Sequence, residues 1–87
     1  MCKALELLVE ERDKGLRKEE RIVAELDELS RQWYRHYMQD SRLSLLHNMR
    51  AKYELDRQIE AKRQELKSTR EKVAYLQQLI ERCESAE

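Results

Sequence analysis

Two histidines, His36 and His47, and two cysteines, Cys2 and Cys83, are the side chains best suited to metal binding or nucleophilic chemistry. Their spacing works against both. His36 and His47 are eleven residues apart, about three turns or ~16 Å along a helix, too far to share one ion. Ligand pairs on a helix sit three or four residues apart, and His36 has only Asp40 at such a distance. Cys2 and Cys83 stand near opposite ends and form neither a CxxC motif nor a disulfide framework. The serines (Ser30, Ser41, Ser44, Ser68 and Ser85) lack a histidine at readable spacing, and one glycine cannot build a phosphate-cradling loop. No catalytic residue, metal ligand or cofactor site is therefore expected, and the chain reads as non-enzymatic.

The remaining candidates recognise surfaces. Trp33, Tyr34 and Tyr37 cluster on a stretch where Ile22, Leu26, Leu29, Trp33 and Tyr37 follow one another at spacings of 4, 3, 4 and 4. Tryptophan and tyrosine bury large areas with few rotatable bonds, which favours them at interface hot spots. Ile22, Leu26, Leu29, Trp33, Tyr34 and Tyr37 are the candidate partner-binding residues. The competing reading packs Trp33 and Tyr37 in the protein's own helical core and leaves Tyr34 solvated. Val23 and Ala24 broaden the face beyond a two-stranded seam, towards a four-helix arrangement or a bound partner.

Helices must carry these residues. The chain has no proline and one glycine, and 41% of it is charged, the profile of long helices and coiled coils. Ile59, Leu66, Val73 and Ile80 repeat every seven residues, and Leu55, Leu76 and Cys83 fall at the complementary heptad position. That 3.5-residue period is a seam which one helix buries only against another. The expected oligomerisation seam is Leu45, Leu55, Ile59, Leu66, Val73, Leu76, Ile80 and Cys83. Asn48, Lys62 and Thr69 interrupt it with polar side chains, which lower stability but restrict register.

The fold class is all-α. A long helix forming a parallel dimeric coiled coil is the first expectation, supported by the unbroken seam and by Glu65 and Arg70, which suit pairing across parallel strands. The alternatives are a two-helix hairpin and an antiparallel dimer, each with a break at residues 39–42. Two signals favour these: Leu26 and Trp33 project one residue short of Leu55 and Leu76, and Asp40 or Ser41 suits a helix cap. Gly15 either lies exposed in a continuous first helix, the favoured reading, or ends a short one. Residues 1–87 are expected to be a single helical segment of a larger protein.

Charge narrows the function classes. Lysines and arginines balance aspartates and glutamates at 18 each, unlike the basic excess of a general nucleic-acid binder. The first third is net acidic and the middle third net basic. The basic residues of 42–72 are interrupted by Glu54, Asp56, Glu60, Glu65 and Glu71, where a DNA-reading basic region would be denser. No apolar run approaches a membrane span or a signal-peptide core, so an intracellular setting with reduced thiols is expected, and nothing favours nucleus over cytoplasm. The expected function is oligomerisation and protein–protein interaction of scaffold or adaptor type. Its partners would be a second copy of the chain and another helical protein. A nucleic-acid-binding helix pair using residues 42–72 is the alternative.

Overall fold

Without proline, nothing in either half of the chain interrupts a helix. The computed structural model describes residues 3–38 and 45–86, with side chains except at 37, 38 and 45–48. Helix α1 spans Lys3–Met38 and helix α2 spans Leu45–Ser85. Glu6 in the first turn of α1 and Arg35 and His36 in its last complement the helix dipole, as does Arg82 at the end of α2. Pairs four residues apart brace the exposed faces, among them Arg31 to Asp27 at 2.6 Å and Gln64 to Glu60 at 3.1 Å. Each such pair adds about 0.2–0.5 kcal/mol.

The two helices pack along their length as an antiparallel hairpin, 67 Å long and about 15 Å wide. This is the two-helix alternative read from sequence. The seam of α2 has the predicted register, but α1 of the same chain covers it, where a parallel second chain was the first expectation. Leu55, Leu66, Thr69, Leu76 and Ile80 are buried, with Ile59, Lys62, Val73 and Cys83 half-buried between them. The side chain of Leu45, the caps proposed at Asp40 and Ser41, and Cys2 lie outside the described residues.

Bridging side chains fix the register. Arg12 reaches Gln77, Gly15 abuts Val73, Glu19 meets Arg70 and Glu25 meets Lys62. Residues whose numbers total close to 88 therefore lie level. The facing stripe of α1 is Leu5, Leu8, Arg12, Gly15, Glu19, Ile22, Leu26, Leu29, Trp33 and His36, every one buried or half-buried. Its spacing alternates strictly between three and four, as does that of α2. The polar members are accommodated individually. Arg12 lays its stem on the seam and donates to Gln77 Oε1 at 2.9 Å. Thr69 donates its hydroxyl to the Glu65 carbonyl at 2.8 Å, which satisfies a buried group within its own helix.

Gly15 lies in a continuous helix, as favoured, but it faces the seam and is half-buried. A Cβ built there would stand 2.6 Å from Val73 Cγ2, so only glycine lets the backbones approach this closely. Gly15→Ala gains about 1 kcal/mol of helix propensity and incurs an overpacking cost of about 1–3 kcal/mol. We expect a net loss of about 1 kcal/mol in urea denaturation. In a Val73→Ala background the same substitution should become stabilising. A stabilising Gly15→Ala in the parent would contradict this packing.

Candidate interaction surface

Closing the seam decides which recognition candidates remain available. Ile22 is 0% exposed, and Leu26, Leu29 and Trp33 are half-buried beside it. These four pack against the second helix within the hairpin, which is the competing reading for Trp33. Tyr34 stays on the surface at 59% exposure. The side chain of Tyr37 lies outside the described residues.

The seam has two flanks, each with a groove. One groove is lined by Ser30 and Trp33 of α1 and by Asp56, Ile59, Glu60 and Arg63 of α2. The other lies between Glu25, Glu28 and Leu29 and the facing Gln58, Ala61, Lys62 and Glu65. Exposed large apolar side chains gather on the first flank. Leu16 (42%) and Val23 (44%) run along α1 next to the seam, ending at Tyr34, while Tyr53 (63%) and exposed Met49 lie on the matching edge of α2. Leu7 and Tyr75 are on the opposite side. Heptad geometry dictates this sorting. Once Arg12, Gly15, Glu19 and Ile22 occupy the seam, Leu16 and Val23 must flank it. Sequence reasoning missed Leu16 as a surface candidate because the seam through polar Arg12 and Glu19 carried no apolar signal, and missed Met49 and Tyr53 on the edge of α2.

Ion pairs cross between the helices. Lys62 bonds to Glu25 and approaches Glu65 at 3.5 Å, Lys18 lies 3.8 Å from Glu65, and Arg70 Nε donates to Glu19 at 2.9 Å. Glu65 and Arg70, read as a parallel-dimer pair, are thus both engaged by α1. Lys62 and Arg70 of the basic stretch are likewise held by carboxylates. His36 is half-buried, and the side chain of His47 lies outside the described residues. Among the described residues no three His, Cys, Asp or Glu side chains converge as metal ligands, and no helix is long and apolar enough to cross a membrane.

The Glu25–Lys62 bridge makes the hairpin pH-sensitive at both extremes. The hydrogen bond from Lys62 holds the Glu25 carboxyl below its usual 4.5, helped by the charges of Lys62 and Arg21 and opposed by desolvation. The same bond raises Lys62 above 10.5, aided by the charges of Glu25 and Glu65. A lowered carboxyl pKa contributes stability in full above the unfolded value and loses it as pH falls through the folded one. A raised ammonium pKa contributes below its unfolded value and loses stability as pH rises through the folded one. The bridge therefore acts on the plateau between them. Urea midpoints should separate the parent from Glu25→Gln at neutral pH and converge in acid. Curves that stay parallel down to pH of about 2 would show that the bridge contributes nothing.

Comparison of the chain with protein-family models, with curated proteins and with solved structures finds no match in any of the three.

Proposed function

We propose that this chain is a non-enzymatic helical-hairpin module that binds other helical protein surfaces, in the manner of a scaffold or adaptor. The observation that carries this reading is the uneven distribution of exposed large apolar groups, five of which gather on one flank against Leu7 and Tyr75 on the other. With the seam closed internally, Leu16, Val23, Tyr34, Met49 and Tyr53 still face outwards on one flank. Tyrosine presents a rigid apolar ring and a polar tip, which suits an interface with a wet rim. The rest of the surface is dense in paired charges, which keeps it solvated. The preferred partners are a second copy of the chain and a helix with a matching apolar stripe.

Site-specific photo-crosslinking tests this. Benzoylphenylalanine replaces Tyr34 in one variant and Arg57, on the outer face of α2, in another. The expected result is covalent protein adducts from position 34 and none from position 57. Equal yields from both, or none from either, would count against an interaction flank.

A further inference from the structure

We propose that the Leu16–Tyr34 flank is a self-association surface, on which a second copy of this chain docks face to face to make a four-helix bundle. The inference rests on the interaction reading above and names its partner. The observation behind it is that the flank carries unpaired charges of opposite sign on its two edges. The α1 edge is acidic, with Glu6, Asp13, Glu20 and Asp27 at seven-residue intervals. The α2 edge carries Arg63, Lys67 and Arg70 at its centre. Asp13, Asp27 and Arg70 have partners within the hairpin. Among the described residues, Glu20, Arg63 and Lys67 form no ion pair, and all three are exposed.

A two-fold axis along the hairpin's length brings these edges together. It sets α1 of one copy beside α2 of the other, antiparallel and at the same level, so residues whose numbers total close to 88 meet between copies as they do within one. Glu20 then comes level with Lys67 of the second copy, Asp27 comes near Arg63 of the second copy, and Tyr34 comes level with Tyr53 of the second copy. Each contact occurs twice by symmetry. Leu16 and Val23, beside the axis, are covered by the aliphatic stems of Arg63 and Arg70 of the second copy. The outer ends contribute less, because Glu6 comes level with Glu81 and Glu60 stands next to Arg63. The attraction is therefore central, at Glu20, Lys67 and the tyrosines. An axis across the hairpin would instead place α1 against α1 and set its acidic edge against itself, which like-charge repulsion opposes.

Sedimentation equilibrium of the purified chain, from micromolar to millimolar, reads the outcome. The parent should show a monomer–dimer equilibrium. Glu20→Lys and Lys67→Glu should each weaken the dimer about tenfold, since each creates two symmetric repulsive contacts. Both positions are exposed, so helicity by circular dichroism should hold. The equimolar mixture of these two variants should recover parent-like dimerisation, because every contact between them again joins opposite charges. A parent that remains monomeric at millimolar concentration overturns the proposal, as does a dimer indifferent to both substitutions or a mixture that fails to recover. If the chain is monomeric while position 34 still crosslinks to a different protein, only the choice of partner fails. If position 34 gives no adduct either, the interaction reading fails with it.

Discussion

Leu66→Asp should abolish the folded hairpin. Leu66 is buried near the middle of the α2 seam, level with fully buried Ile22. The seam-side cations four residues to either side, Lys62 and Arg70, are already held by Glu25 and Glu19. Breaking such a site costs about 3–5 kcal/mol, a large share of the 5–15 kcal/mol typical of a whole domain. The helices should separate, and neither helix buries its apolar stripe alone. Far-ultraviolet circular dichroism should show the loss, and raising the concentration should not repair it, because the seam is closed within one chain. Recovery of helicity at high concentration would mean that two chains share the seam.

Ile22→Ala and Tyr34→Ala should differ sharply, although the two residues lie on one stretch of α1. Ile22 has no exposed surface, and truncating such a residue costs about 2–5 kcal/mol through lost transfer energy and the cavity left behind. Tyr34 is largely exposed, and its truncation should change stability by no more than about 0.5 kcal/mol. Denaturant midpoints with unchanged slopes would report both. Similar losses at the two positions would mean that α1 faces α2 with a different side.

Much of this arrangement was legible in the residues, because heptad spacing is a direct physical record of a buried stripe. Ile59, Leu66, Val73 and Ile80 announced their face, and so did Ile22, Leu26, Leu29 and Trp33. What covers a stripe is less legible, since a seam has the same spacing whether it meets a second chain or its own. The one-residue offset between the two halves was the informative signal: two helices joined by a reversal need not share a phase. Glu65 and Arg70 pointed the other way because charge placement alone does not identify the opposing helix. The stripe through Arg12, Gly15 and Glu19 was obscured by polarity. Arginine and glutamate lie on a seam by their stems while their heads reach Gln77 and Arg70 at its rim. Without that stripe, the outward position of Leu16 could not be assigned, and the exposed flank stayed hidden.

The close approach at Gly15 and Val73 has a consequence for how the hairpin opens. Arg12, Gly15 and Glu19, with Thr69 opposite, contribute little apolar area, so they divide the hydrophobic interior into two blocks. The inner block joins Ile22, Leu26, Leu29 and Trp33 to Leu55, Ile59 and Leu66. The outer one packs Leu5, Leu8 and Val9 against Leu76, Leu79, Ile80 and Cys83. Stability along the rod should therefore be graded, with the two blocks opening as separate units. The outer fork closes the longest loops and ends at the chain termini, so it should part first and expose Cys83, while the inner block keeps the helices in register for it to close again.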